Sequence, residues 1–94
     1  MIHFVYILKC KDKTLYVGCT NDLEKRLHEH NNSKNGAHYT KIRRPVRMVY
    51  SEKCRDLAHG RQREAEIKRL SREKKLALIR AGKNVEGILK RSIK

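Results

Sequence analysis

Two tyrosines, Tyr6 and Tyr16, stand ten residues apart near the beginning of the sequence. Each lies among β-branched, aromatic and apolar residues, a composition that is typical of a strand. Across a hairpin the two phenol rings would be cross-strand neighbours, and tyrosine is a common strand former in any case. The pattern therefore allows two interpretations, ordinary packing within a sheet or a pair of functional hydroxyl groups.

Arg26 and His30 are four residues apart in a segment that predicts a helix, so they share one helical face. An isolated pair of this kind is often no more than a solvated surface. It is also the arrangement in which a guanidinium would clamp a phosphate beside a titratable imidazole. Both interpretations stay open at this point.

Glu64 is a third candidate because of its position on a helical wheel. It falls on the same side as Leu57, Gly60 and Ile67. A carboxylate on the apolar side of a helix costs free energy unless a partner compensates its charge. Glu64 is therefore either one half of a buried salt bridge, or a metal ligand or catalytic acid.

The charge balance indicates the class of partner. The sequence has 24 Lys and Arg against 10 Asp and Glu, a net charge of +14 on 94 residues. Such an excess favours a polyanion, with nucleic acid as the first candidate and an anionic membrane surface as the second. We expect phosphate contacts from the basic loop over residues 37–45, and specifically from Lys41, Arg43 and Arg44.

Several other classes are excluded by composition. No apolar run approaches the roughly 20 residues that a membrane span needs, and the N-terminal residues lack the pattern of a signal peptide. Cys10, Cys19 and Cys54 are odd in number and form no CxxC pair. We therefore expect reduced thiols and a cytoplasmic protein, without a disulfide framework or a zinc site.

Three strands are predicted. Residues 2–9 indicate a strand buried on both faces, and residues 14–20 follow closely enough to complete an antiparallel hairpin. Residues 46–51 predict a third strand, extending towards Cys54. With the helices in between, the order β-β-α-β-α-α predicts an α+β fold, a small three-stranded antiparallel sheet flanked by helices.

The helices are predicted from their capping residues. Asn21 is the predicted cap of the first, with Glu24 completing a capping box, and Asp56 and Ser71 are those of the second and third. The third helix should end near Gly82. We expect one domain over residues 1–82 and a basic C-terminal extension over residues 83–94, either a short helix or a frayed end.

Taken together, these features resemble the GIY-YIG nuclease superfamily, and especially its short single-domain bacterial members. Phe4-Val5-Tyr6 occupies the position of the first family triplet, and Tyr16-Val17-Gly18 that of the second. Arg26 matches the helix arginine ten residues after the second motif tyrosine. Glu64 matches the glutamate of the following long helix. The resemblance covers residues 2–80.

The resemblance implies a DNA endonuclease that hydrolyses phosphodiester bonds with one divalent cation, Mg²⁺, for which Mn²⁺ would substitute. Tyr16 would deprotonate or position the attacking water, and Tyr6 would orient water or phosphate. Arg26 would hold the scissile phosphate, and His30 would assist proton transfer. Glu64 would bind the cation, with water molecules in its other coordination sites.

A second function stays open, that of a basic nucleic-acid-binding module that keeps the fold with little or no cleavage activity. A single domain without an attached DNA-binding domain favours this alternative. The presence of Tyr16, Arg26 and Glu64 favours the nuclease. A membrane-surface protein is a weaker third possibility, because no long amphipathic helix presents large apolar side chains.

Overall fold

The computed structural model describes residues 2–32, 34 and 37–82. The strands are β1 (His3–Lys9), β2 (Leu15–Thr20) and β3 (Arg47–Cys54). The helices are α1 (Leu23–Asn32), α2 (His38–Lys41), α3 (Leu57–Lys68) and α4 (Arg72–Ala81). The predicted order is confirmed, with α2 as one additional turn of helix inside the predicted basic loop. The extension expected over residues 83–94 lies outside the described residues.

The sheet is antiparallel with strand order β2-β1-β3, so β1 is central. The predicted hairpin is confirmed, since β2 pairs with β1 from Phe4 opposite Thr20 to Lys9 opposite Leu15. A strand with a neighbour on each side and helices above and below loses contact with water. Residues 5–8 of β1 are accordingly at most 1% exposed, which confirms the prediction of a strand buried on both faces.

Side chains alternate between the two faces of the sheet, so each face has its own hydrophobic core. On one face, Tyr6 packs with Leu27 of α1. On the other face, Val5 packs with Ile67 of α3, and α4 adds partly buried apolar side chains. The helix that carries Arg26 therefore lies on the Tyr6 face, whereas α3 lies on the opposite face.

Side-chain caps set the beginnings of the later helices. The Asp56 and Ser71 side chains each accept a hydrogen bond from a backbone N–H in the first turn of α3 and α4, which confirms both predicted caps. Gly82 is the C-terminal capping residue of α4 and ends it where predicted.

The predicted cap of α1 is wrong by one residue. The helix begins at Leu23, and Asp22 Oδ1, not the Asn21 side chain, accepts the backbone N–H of Lys25 at 3.1 Å. With Asp22 at the capping position, the third helical residue is Lys25, so Glu24 does not stand where a capping box requires it. Asparagine and aspartate are nearly equivalent as caps, and the sequence offered both in adjacent positions.

An ion-pair network fixes α3 to β3. Glu52 of β3 accepts a hydrogen bond from the Tyr50 hydroxyl at 2.5 Å and forms an ion pair with Arg63 of α3. Arg63 lies 3.5 Å from Glu66 as well. Because Glu64 directly follows Arg63, this network holds in place the turn of helix that carries Glu64.

One residue of the predicted apolar side of this helix is exposed. Leu57 is 44% exposed, whereas Gly60 and Ile67 are buried. Leu57 is the first residue of α3 and precedes the turn that packs against the sheet, so the buried face of the helix begins at Gly60.

Candidate active site

Gly18 lies directly opposite Tyr6 in the hairpin. A Cβ atom at Gly18 would lie against the Tyr6 hydroxyl and 2.5 Å from its Cζ atom, too close for a non-bonded contact. The glycine therefore leaves room for the Tyr6 ring above the backbone of β2. Because β2 is an edge strand, this brings the Tyr6 hydroxyl towards the edge of the sheet.

The register places Tyr16 opposite Leu8 and not opposite Tyr6. Opposed residues, and every second residue along a strand, share one face of the sheet. Tyr6 and Tyr16 are therefore diagonal neighbours on the same face. The structure brings the two predicted tyrosines together without pairing them directly.

A chain of hydrogen bonds connects the Tyr6 hydroxyl to the basic loop. Tyr6 Oη is 2.9 Å from His30 Nε2, and His30 Nδ1 is 2.7 Å from Thr40 Oγ1. The Thr40 hydroxyl donates its proton to the carbonyl oxygen of Ala37 at 2.9 Å, so its oxygen accepts from the imidazole. Nδ1 of His30 therefore carries the proton, and Nε2 accepts the proton of Tyr6.

His30 is neutral in this network. Its side chain and that of Thr40 are fully buried. Burial lowers the pKa of His30 to about 4, the positive charges of Arg26 and Arg44 act in the same direction, and Glu29 opposes them. A neutral imidazole with both nitrogens in hydrogen bonds orients the Tyr6 hydroxyl.

The lowered pKa of His30 predicts an acid-sensitive fold. Its ordinary pKa is 6.5 and its folded value is about 4, so the folded state favours the neutral form. This contribution to stability is complete above pH 6.5 and is lost as the pH falls towards 4, up to about 3 kcal/mol. NMR titration of the His30 ring protons checks the prediction, and titration near pH 6.5 would contradict it.

The Tyr6 hydroxyl is engaged on two sides. Burial raises the pKa of Tyr6 well above its usual range, and a hydrogen bond from the Arg26 guanidinium offsets part of that effect. The hydroxyl stays protonated at neutral pH, donating to His30 and accepting from Arg26. Such a group can orient a ligand but is poorly suited to take a proton from water.

Tyr16 differs from Tyr6 because its contacts with the described residues are made by its ring and not by its hydroxyl. Its ring packs edge-on against His30, with centroids 5.2 Å apart, and lies tilted against Tyr39 at 5.9 Å. These contacts hold the half-buried ring in place. Within the described part of the chain, the Tyr16 hydroxyl forms no hydrogen bond, so it is available to water or to a ligand.

Arg26 lies beside this pair of tyrosines. Its Nη1 is 3.0 Å from Glu29 Oε1, one turn further along α1, and its side chain is 26% exposed. Its guanidinium lies against the Tyr6 hydroxyl. Arg26 and His30 thus share a helical face as predicted, and that face is directed at the tyrosines and not at solvent.

Glu64 approaches the same place from α3. One turn earlier, Gly60 packs so closely on β2 that a Cβ atom would lie 2.8 Å from Cys19 Sγ. Residues four apart lie on one side of a helix, so Glu64 faces the edge strand as well. The negative charge of Glu64 contributes to the raised pKa values of both Cys19 and Tyr6, after burial as the largest cause.

Glu64 is half-buried, and its partner is a surface lysine. Oε2 of Glu64 lies 2.9 Å from Nζ of Lys68, and the two side chains are 21% and 54% exposed. This is an ion pair between residues i and i+4 of a helix, not the buried salt bridge that the sequence left open. Such a pair contributes only about 0.5 kcal/mol, so a competing ligand can displace Lys68 at little cost.

The described residues fit a cation that keeps most of its water. Among them, no group of three His, Cys, Asp or Glu side chains forms a metal-binding cluster. Mg²⁺ is commonly bound through one or two carboxylates together with substrate phosphates and several waters. A single half-buried carboxylate with a weakly held lysine partner, as at Glu64, is compatible with that mode.

The three residues predicted to contact phosphate have different environments. Arg44 donates to the carbonyl oxygens of His30 and Glu29 at 2.6 and 3.2 Å, and so satisfies the end of α1. The Lys41 side chain forms no ion pair within the described residues. Contact of these residues with nucleic acid stays a prediction.

Arg43 is held by three contacts. Its Nε is 3.0 Å from Asp12 Oδ2, its Nη1 donates to the Tyr39 carbonyl at 3.1 Å, and its Cζ lies 3.8 Å from the centre of the Tyr39 ring. Arg43, Tyr39 and Tyr16 therefore form a continuous stack. Phosphate contact by Arg43 would have to compete with Asp12.

Sequence reasoning missed Thr40 and Tyr39. Both lie in the basic loop, where charge dominated the interpretation. Thr40 fixes the tautomer of His30, and Tyr39 supports the Tyr16 ring. Tyr39 is the one tyrosine outside the predicted strands, which was the available signal; no pattern distinguished Thr40 from other polar loop residues.

All three cysteines are free thiols, as expected, with Cys10 and Cys54 buried and Cys19 half-buried. Burial raises the pKa of each thiol, which keeps it protonated at neutral pH. None of the helices formed by the described residues has the length and apolar character needed to cross a membrane.

Comparison with known proteins identifies the domain. The chain matches the GIY-YIG catalytic domain over residues 2–77. A UPF0213 protein of Syntrophus aciditrophicus is 55% identical over 78 residues, covering 83% of this chain and 90% of that protein.

The fold of this chain is similar to two solution NMR structures, each of a protein with 38% sequence identity to it. The UPF0213 protein BH0048 of Bacillus halodurans has a TM-score of 0.57, with 92% of this chain and 90% of that chain covered. The protein EF2693 of E. faecalis has a TM-score of 0.60, with 86% and 85% covered.

The three-stranded sheet carries both motif tyrosines on one face with Arg26 at the Tyr6 hydroxyl, and the match to the GIY-YIG catalytic domain spans most of the chain. This chain belongs to the GIY-YIG family, and its relatives are short UPF0213 proteins. The domain indicates a nuclease family and interaction with nucleic acid in general terms.

Proposed function

We propose that this protein is a divalent-cation-dependent endonuclease that hydrolyses phosphodiester bonds in DNA. One observation carries the proposal. Tyr6 and Tyr16 share a sheet face but differ in state, since the Tyr6 hydroxyl is engaged by His30 and Arg26 while the Tyr16 hydroxyl has no partner within the described residues. Two tyrosines that served only to pack the sheet would not need one hydroxyl to be engaged and the other to be available.

In the proposed mechanism, Arg26 binds the scissile phosphate and stabilises the charge that develops on its oxygens. Tyr16 positions the attacking water and accepts its proton while releasing its own hydroxyl proton to solvent, a relay for which its hydroxyl is available. Tyr6 donates its proton to His30 and so presents its oxygen lone pairs to Arg26 and to water near the phosphate. His30 acts through Tyr6 as a positioning residue, because its side chain has no exposed surface.

Glu64 would hold the cation, Mg²⁺ or in its place Mn²⁺, after releasing Lys68. When bound, the cation would neutralise negative charge on the phosphate oxygens. Lys68 is more than half exposed and can turn to solvent once its partner is engaged. The charge of +14 supports a polyanionic substrate, and we propose DNA on the resemblance to the nuclease family.

The test is incubation of the purified protein with single-stranded, duplex, flap and branched DNA, and with RNA, in Mg²⁺, in Mn²⁺ and in EDTA. We expect cleavage of DNA with either cation and none in EDTA. Glu64→Gln protein, purified identically, controls for a contaminating nuclease. Binding without cleavage in every condition would replace this proposal with the alternative of a binding module.

A further inference from the structure

An open cavity of about 330 Å³ lies beside the β1–β2 turn, outside the candidate active site. We call it the turn cavity. Four of its seven lining residues are basic: Lys9, Lys11, Lys13 and Arg47. None of the described residues that line it is acidic, so a ligand in the cavity would experience a positive electrostatic potential.

The basic side chains of the turn cavity are unneutralised. Within the described part of the chain, none of them forms an ion pair. The nearest carboxylate in sequence is Asp12, which is engaged by Arg43 at 3.0 Å and by the Thr14 hydroxyl at 2.6 Å. Among the described residues, none therefore supplies counter-charge to the cavity.

Two of the cations oppose each other in the sheet. Lys9 of β1 stands directly opposite Arg47 of β3. Like charges directly opposite each other on neighbouring strands destabilise a sheet. An anion bound between them would remove this repulsion, so the pairing favours an anionic ligand.

Both walls of the cavity are rigid. In the turn, the Cys10 N–H bonds to the Thr14 carbonyl and the Lys13 N–H to the Cys10 carbonyl, each at 2.9 Å, and Lys11 is tied to the Arg43 carbonyl at 3.1 Å. On the other wall, the backbone of Val46 exchanges two hydrogen bonds with the Asn31 side chain at 2.7 and 2.8 Å. The basic side chains thus project from a fixed frame, which lowers the entropy cost of binding.

The cavity lies at the Tyr16 end of the hairpin. Cys10 and Val46, which line the cavity, belong to the hydrophobic core on the Tyr6 face of the sheet, against which Tyr16 packs. We infer that the turn cavity binds a backbone phosphate of the nucleic acid next to the scissile phosphate, which holds the strand in place over Tyr16. This inference rests on the proposed function and adds a second phosphate site to it.

The test compares two double variants that remove the same charge. The double variant Lys11→Gln with Lys13→Gln removes two positive side-chain charges from the turn cavity, and neither residue belongs to the candidate active site. Arg72→Gln with Lys74→Gln removes two exposed cations from the first turn of α4, where losing positive charge does not weaken a helix. Thermal denaturation of both variants checks that each one folds.

Affinity for a 20-base-pair DNA duplex is measured in EDTA over a range of salt concentrations, so that cleavage plays no part. We expect the cavity variant to bind at least about fivefold more weakly at low salt, with a slope of log K against log salt shallower by about 0.9 for one lost phosphate contact. The α4 variant should keep the wild-type slope. Equal losses in both variants would overturn the inference, because binding would then follow net charge alone.

A second measurement identifies the anion. In ¹H–¹⁵N spectra, the amides of Lys11 and Lys13 should shift on titration with the duplex at micromolar concentration, and with inorganic phosphate only at much higher concentration. Shifts with phosphate alone would assign the cavity to a free anion and overturn the inference. Wild-type protein that binds DNA through the cavity but never cleaves it in Mg²⁺ would refute the proposed nuclease and leave the cavity site standing.

Discussion

Replacing Glu64 by glutamine should lower the cleavage rate at least about a hundredfold, because a ligand that supports several kcal/mol of charge stabilisation is lost. Affinity for DNA, measured in EDTA, should stay the same or rise, since an already cationic surface loses a negative charge. The fold should survive, because the exposed partner Lys68 makes the Glu64–Lys68 pair worth only about 0.5 kcal/mol.

Glu66→Gln is the matched control for this prediction. Glu66 lies two residues further along the same helix, is 46% exposed, and pairs with Arg63 at 3.5 Å. The control removes the same charge from the same turn of α3 while leaving the face that meets β2 intact. Equal loss of cleavage in both variants, or unfolding of Glu64→Gln alone, would show that Glu64 has a structural role and is not a cation ligand.

The sheet and most of the helix boundaries could be predicted because they depend on local sequence. The run of residues 5–8 has no polar side chain to face water other than the Tyr6 hydroxyl, which fits only a central strand. Asp56 and Ser71 each precede a helix with one side-chain oxygen ready to accept the first backbone N–H groups. No competing cap stands beside either of them, in contrast to the neighbouring Asn21 and Asp22.

The hydrogen-bond chain around Tyr6 could not be predicted, since it depends on register and on the path of a loop. Tyr6 and His30 are 24 residues apart, and His30 and Thr40 are 10 apart, with α2 supplying the last partner. Nothing in the sequence distinguishes a buried, neutral His30 from a solvated one. The pairing of Glu64 with Lys68 was accessible, because a spacing of four residues on a helix is a local signal.

Replacing Tyr16 by phenylalanine should lower the cleavage rate by a factor of about 100 or more, the usual loss when a positioned proton acceptor is removed. DNA affinity and the unfolding temperature should change little. The ring contacts with His30 and Tyr39 are retained, and the hydroxyl forms no hydrogen bond within the described residues whose loss would cost stability.

Removing the hydroxyl of Tyr39 or of Tyr6 shows whether a loss of cleavage in Tyr16→Phe is specific to Tyr16 or follows from damage to the packing of this cluster. Tyr39→Phe removes a hydroxyl from the neighbouring ring and should leave cleavage within about twofold of wild type, since within the described residues the Tyr39 side chain makes only ring contacts. Tyr6→Phe breaks the bond to His30 and leaves a buried imidazole nitrogen unsatisfied, so it should lower the stability of the fold by about 1–3 kcal/mol.

The prediction for Tyr16 is contradicted if Tyr16→Phe cleaves at the wild-type rate with the metal dependence unchanged. That result would exclude Tyr16 as the proton acceptor and transfer that role to a solvent molecule or to another side chain.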